Sequence, residues 1–185
     1  MNSISALENI FKKGLFGDYE NKKDNEIIKL SESKNLFICQ VVKYKNSNVD
    51  EKKLKIDELN LPDSLKTTFN NETRIIWMGP SNWLVVSKKL DLMKFISTLF
   101  DDNNFAITDL SHSRTIIEIE GNLADEVIKK GCPLNINELR EGDCANSTFH
   151  GVTITIDFLS NEPKKIRLFA LRSFGESLYH SISDA

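Results

Sequence analysis

The sequence predicts an α+β protein of layered antiparallel or mixed sheets with helices on one face. Two observations predict it. Short β-rich apolar runs alternate with runs of helical period in the order β, α, ββ, α, ββ, α, βββ, α, and strands that come in pairs between helices do not suit a doubly wound parallel sheet. The 185 residues, 40% hydrophobic and 28% charged with eleven Phe, also suffice for one cooperative body. The expected organisation is a polar arm at 1–34, then a single domain at 35–185 made of two lobes at about 35–105 and 106–185.

The arm ends in the charge-rich run DYENKKDNE and is too hydrophilic to bury much surface by itself. It reads either as a loose terminus or as a segment that orders against a partner chain. NLFICQVVKY, Asn35 to Tyr44, is the first strand. The polar connector SNVDEKKLKIDELN then leads to Pro62, which suits the first position of a short helix, PDSLKTTF. RIIWMGPSNWLVV, Arg74 to Val86, predicts a hairpin turning at Gly79, Pro80, Ser81 and Asn82. LDLMKFISTLF, Leu90 to Phe100, places Leu92, Phe95, Ile96 and Leu99 on one helical face, and Asp101 and Asp102 end it.

The second half repeats this logic. FAITDL and TIIEIEG are strands, and in the latter Ile116, Glu118 and Glu120 alternate with Thr115, Ile117 and Ile119, so one face is expected to be buried. LADEVIKKG is a helix with Leu123, Val127 and Ile128 as its stripe and Gly131 as its C-terminal cap. CANSTF, GVTITIDFL and KIRLFALR supply three more strands. SFGESLYHSIS closes the chain as a helix, with Ser173 and Glu176 as a capping box and Phe174, Leu178 and Ile182 recurring every four residues. Each half has the split β-α-β look of ferredoxin-like folds.

A formal charge of −3 with Lys and Asp/Glu interleaved provides no basic face, which argues against a nucleic-acid partner. Met1 to Asp18 lacks the continuous apolar core of a signal peptide, and no stretch approaches the roughly 18 apolar residues that span a bilayer, so no membrane partner is expected. Cys39, Cys132 and Cys144 form no CxxC pair, which suits buried thiols in a reducing, cytoplasmic setting.

Few side chains are spaced for chemistry. The glycines form no phosphate-binding loop, and His112, His150 and His180 show neither HxxxH nor HExxH spacing. DLSHSR, Asp109 to Arg114, gathers types that support acid-base or nucleophilic chemistry if they converge on a pocket. A strand-to-strand turn with a hydrogen-bonded Asp109, consistent with an Arg114 that pairs with it, explains the same residues and is preferred. Cys132 follows Lys129 and Lys130, which favour a thiolate, but it lies at a helix C-terminus, which disfavours negative charge, so a buried inert thiol is the preferred reading. Trp77 and Trp83 flank the hairpin turn, where aromatic side chains pack across strands more often than they stack on a ligand.

Four segments carry a resemblance to a known family: WMGPSNWLVV from Trp77, TDLSHSRTIIEIEGNLADEVIKKGCPLNI from Thr108, DCANSTF from Asp143 and LFALRSFGESLYHSI from Leu168. In order and pattern they resemble the gamma subunit of heterotetrameric sarcosine oxidase, which is similar in having a W-x-G-P-x-x-W-L hairpin, a D-L-S-x-x-R turn, a K-G-C-P-L-D helix exit and an R-S-F/Y helix start. Asn135 stands here where Asp is usual. The resemblance runs from about Arg74 to the C-terminus, with KGCPLN and LRSFGESL its more specific pieces.

The resemblance implies the fold of the folate-binding aminomethyltransferase domain and a place beside alpha, beta and delta subunits. That assembly oxidatively demethylates sarcosine to glycine, passes the one-carbon unit to tetrahydrofolate and makes hydrogen peroxide. It implies FAD, FMN and NAD on the alpha and beta subunits and zinc on delta, with no catalytic, cofactor-binding or metal residue on this chain, whose role is to brace the large subunits. The hairpin is also similar to free-standing members of the wider superfamily, either an aminomethyltransferase or an iron–sulfur maintenance factor. The signature of the latter is K-G-C-x-x-G-Q-E, whereas KGC is followed here by PLN.

Overall fold

The structure, a computed structural model, describes residues 4–11, 14–16 and 27–185; the charge-rich run of the expected arm lies outside the described residues. The chain divides into two compact units, Met1–Lys34 with Ser113–Ala185, and Asn35–His112. Strands are numbered along the chain, and β1 (Gly14–Phe16) and β2 (Ile28–Glu32) belong to the discontinuous unit.

The unit Asn35–His112 contains β3 (Phe37–Lys43), the short ribbon β4 (Lys55–Ile56) and β5 (Leu59–Asn60), β6 (Thr67–Phe69), β7 (Thr73–Gly79), β8 (Asn82–Ser87), helix α1 (Leu92–Leu99) and β9 (Phe105–Asp109). Its main sheet runs β6-β7-β8-β3-β9, with every neighbouring pair antiparallel. Because β8 and β9 both oppose β3 between them, they run parallel to each other and α1 crosses from one to the other, a split β-α-β. Strands with period two present alternate residues to one face, so Cys39, Val41, Ile75, Trp83 and Val85 cluster with Leu92 and Ile96 of α1. Phe100 and Phe105 meet edge to face at 4.8 Å.

Two expectations fail in this unit. The helix at Pro62 does not form: Leu65 takes φ 61, which a right-handed helix excludes, and Thr67–Phe69 pairs with β7 instead. The β-branched and aromatic residues of that segment serve a sheet edge better than a helix. Phe95, expected on the inner face of α1, is 48% exposed, because the helix settles on Leu92 and Ile96.

The other unit adds β10 (Arg114–Glu120), α2 (Ala124–Gly131), β11 (Cys144–Phe149), β12 (Val152–Asn161), β13 (Lys164–Leu171) and α3 (Gly175–Ser183) to β1 and β2. Its sheet runs β1-β2-β10-β13-β12-β11, again antiparallel throughout, so the strands joined by α2 have two others between them. Ile117, Ile119, Ile156, Ile166 and Leu168 form one core with Val127 and Ile128 of α2 and Leu178, Tyr179 and Ile182 of α3.

The described part of residues 1–34 is not an arm. Leu7 and Leu30 belong to this core, β2 pairs with β10 through Leu30 and Ile119, and the Phe11 ring packs on Tyr179 at 5.4 Å. A few apolar side chains scattered in a polar segment suffice to seal the open edge of a sheet, and that makes the segment part of the fold. Likewise β9, placed by the sequence at the start of the second lobe, completes the first unit's sheet.

The remaining departures are local. β10 carries buried residues on both faces, Glu118 included. Leu123 is an exposed N-cap of α2, whose buried positions are Ala124, Asp125, Val127 and Ile128. Gly131 is the last residue of the helix and not its cap, which is Cys132 in extended backbone; a Cβ at Gly131 would lie 2.7 Å from the His150 ring, so its absence lets the β11–β12 turn close on α2. The Ser173–Glu176 capping box is not made; a single 3₁₀ turn, Arg172–Phe174, precedes α3, and no side chain caps it.

Candidate functional site

A group of charged side chains gathers on β10 and β13, where the register sets Glu118 opposite Arg167 and Glu120 opposite Lys165. Glu118 is buried, and its Oε1 accepts hydrogen bonds from Arg167 Nε at 3.0 Å, Arg167 Nη2 at 2.7 Å and Ser33 Oγ at 2.6 Å. Lys165 Nζ meets Oε2 at 2.9 Å and Glu120 at 3.4 Å. Burial alone raises the Glu118 pKa, but the Arg167 charge and the hydrogen bonds from Ser33, Lys165 and Arg167 outweigh it and hold the carboxyl at about 2. A carboxylate held so low and so fully bonded takes up no proton near neutral pH, so the cluster fastens strands together and does not serve as a general base. Its signal in the sequence was the matched period of two: Glu118 and Glu120 on one strand, Lys165 and Arg167 on another.

The DLSHSR residues do not converge on a pocket. Asp109 Oδ1 accepts from the Ser111 amide at 2.9 Å, and the Ile38 amide donates to Ser111 Oγ at 3.0 Å, so both side chains are spent on holding the turn to β3. The Ser111 hydrogen bonds lower the Asp109 pKa, with burial opposing and His112 assisting. His112 itself is exposed, as are His150 and His180. Cys132 is buried at the end of α2 and lies 3.3 Å from Ser147 Oγ, while Lys129 reaches the other way, to Glu126 at 2.5 Å and Asp125 at 3.4 Å. Trp83 is core, its indole N–H donating to the Pro62 carbonyl at 3.3 Å, and Trp77, its cross-strand partner, packs at the core's margin.

Among the described residues, no group of three or more His, Cys, Asp or Glu side chains is placed to hold a metal ion. No described helix is long and apolar enough to cross a membrane.

The surface feature that stands out lies where β13 runs into α3, within the LRSFGESL segment. The Arg172 amide donates to the Ser113 carbonyl at 2.9 Å, tying the start of β10 to this junction. An open cleft of about 540 Å³ is lined here by Ala6, Ser113, Leu171, Arg172, Ser173 and Glu176. Leu171 and Phe174 stand 46% and 48% exposed beside it. The helical spacing of Phe174 suggested a core residue; the 3₁₀ turn before α3 instead turns it outward.

No family model matches the chain. Among curated proteins, the chain is 24% identical to sarcosine oxidase subunit gamma from Corynebacterium sp. strain U-96 over 114 residues, 61% of this chain and 56% of that protein. It is 27% identical to the protein of the same name from Corynebacterium sp. strain P-1 over 66 residues, 35% of this chain and 32% of that one. The matches thus span about half and about a third of these relatives' lengths. Among solved structures, the chain superposes on a chain of the heterotetrameric sarcosine oxidase of Corynebacterium sp. U-96, in complex with pyrrole 2-carboxylate, with a TM-score of 0.78 at 17% identity, covering 88% of this chain and 85% of that one. It also superposes on the glycine cleavage system aminomethyltransferase T of Bartonella henselae with a TM-score of 0.59 at 13% identity, covering 84% of this chain and 45% of that one. The α+β class and the likeness to the aminomethyltransferase fold are therefore as the sequence implied, and the gamma-subunit resemblance is met among the curated proteins.

Proposed function

We propose that this chain is a gamma-like subunit of a heterotetrameric sarcosine oxidase, non-catalytic in itself and bracing larger alpha and beta chains. In this reading the assembly demethylates sarcosine oxidatively to glycine, transfers the one-carbon unit to tetrahydrofolate and yields hydrogen peroxide. FAD, FMN and NAD sit on the alpha and beta subunits, zinc sits on delta, and the complex works in the cytoplasm, in keeping with three free thiols. The observation that carries the reading is that the curated relative this chain resembles is a sarcosine oxidase subunit gamma, and a chain of the sarcosine oxidase from the same strain shares its fold. It is supported by how the polar groups are used: Glu118, Asp109 and Ser111 are each committed to hydrogen bonds that hold the fold.

Co-expression with alpha, beta and delta chains tests it. The expected result is one stable complex that makes peroxide with sarcosine, while this chain alone carries no flavin absorbance; a chain that stays monomeric beside them refutes the proposal. The likeness to aminomethyltransferase T favours a second reading, a free-standing folate-binding protein, but this chain spans less than half of that enzyme. Titration with tetrahydrofolate separates the two, since submillimolar binding by the isolated chain supports the second.

A further inference from the structure

We propose that the start of β10 and the β13–α3 junction form the face that receives a partner subunit, and that the partner delivers there a carboxylate flanked by an apolar side chain. The inference rests on the subunit reading above and names the surface and the chemistry of its partner.

Arg114 is the reason for the carboxylate. Its guanidinium is half-buried, and among the described residues no carboxylate pairs with it. Burial lowers its pKa with no acidic neighbour to oppose the effect, in contrast to Glu118 and Lys165 on the same strands. An arginine stays charged at any ordinary pH, so a partly desolvated, unpaired guanidinium is a standing cost that an incoming carboxylate removes. Arg172, beside the same junction, donates to the Ile4 carbonyl and meets no described carboxylate. Among the described residues Glu176 is the one acid lining the cleft, where it stands with Arg172, and Arg114 lies outside that lining.

The apolar part follows from register. Leu171 lies directly across from Arg114 on β13, so an exposed leucine and a guanidinium that no described carboxylate meets share one face of the sheet. Phe174 is exposed just beyond it. Arginine and aromatic side chains that become fully desolvated dominate the energetics of protein interfaces, and charge complementarity sets which partner is accepted.

The test uses the full-length chain and the purified alpha–beta pair, with affinities measured for the wild type, Arg114→Gln, Leu171→Ser and Glu176→Gln. We expect Arg114→Gln and Leu171→Ser each to weaken binding about 30-fold, with the Arg114 effect shrinking at high salt, and Glu176→Gln to leave it unchanged or tighter. A benzoylphenylalanine cross-linker at position 174, which needs no loss of the native contacts, is expected to attach to an alpha or beta peptide with Asp or Glu close to the attachment point. The proposal is overturned if both variants bind like the wild type, if Glu176→Gln weakens binding while Arg114→Gln does not, or if the cross-link forms to a second copy of this chain. Should a variant unfold on its own, the cross-link decides. Wild-type binding with unaffected variants removes this inference alone; no wild-type binding removes the subunit reading with it.

Discussion

Glu118 and Arg167 face each other across β10 and β13, and two nitrogens of one guanidinium converge on a single carboxylate oxygen at 3.0 and 2.7 Å. Losing the guanidinium leaves Glu118 to Ser33 and Lys165, so Arg167→Met is expected to destabilise the protein by about 1 to 3 kcal/mol in urea unfolding. The pair also predicts an acid limb. The Glu118 pKa is lowered from 4.5 to about 2 on folding, so its stabilisation is complete above 4.5 and is lost as pH falls from there toward 2. That limb amounts to roughly 3 kcal/mol in the wild type and shrinks in Arg167→Met, measured as unfolding free energy against pH.

Trp83 is 3% exposed and is hydrogen-bonded to the Pro62 carbonyl. Trp83→Ala is expected to cost about 3 to 5 kcal/mol, mostly from the cavity. Trp83→Phe, which keeps much of the packing and loses the N–H, leaves the carbonyl unpaired and should cost less than the alanine variant. Equilibrium denaturation of the two variants separates packing from the hydrogen bond.

Leu7 is fully buried in the core shared by β10, α2 and α3. Leu7→Ala is therefore expected to destabilise the protein by about 2 to 5 kcal/mol, and a thermal melt that matches the wild type would return the N-terminal segment to the status of a loose arm.

Cys39 has no exposed surface, and burial, with the Asp109 charge adding to it, pushes its thiol up to about 12. A thiol that is both buried and protonated is a poor nucleophile. Alkylation by iodoacetamide at pH 8, followed by mass spectrometry, is expected to leave Cys39 unmodified in the native protein and to modify it rapidly in denaturant.

Most of the regular elements were legible because their signals are local. TIIEIE, GVTITIDFL and KIRLFAL carry period-two or β-rich runs long enough to override neighbouring preferences, and LMKFISTL and ADEVIKK carry a helical period. Pro62 to Phe69 misled because a proline at a helix start is a local cue, whereas pairing with β7 is a tertiary one. Phe95 and Phe174 misled in a related way: spacing says which residues share a face, and the way a helix is seated decides how much of that face is covered.

The candidate surface was legible in part. LRSFGESL stood out as a motif, but Arg114 and Leu171 are far apart in sequence, and only the β10–β13 register brings them together. The same holds for Glu118 and Arg167, whose period-two charges show in the sequence but whose pairing only the register decides.

By itself the sequence determined the class, the order of most strands and helices, and the resemblance its short motifs carry, since those depend on periodicity and short patterns. Tertiary structure decided which sheet each strand enters, that Leu7 and Leu30 belong to the core, that Glu118 is clamped while no described carboxylate meets Arg114, and that Leu171 and Phe174 face outward. Those outcomes depend on strand register and on burial, and both are settled by contacts between residues that the chain holds far apart.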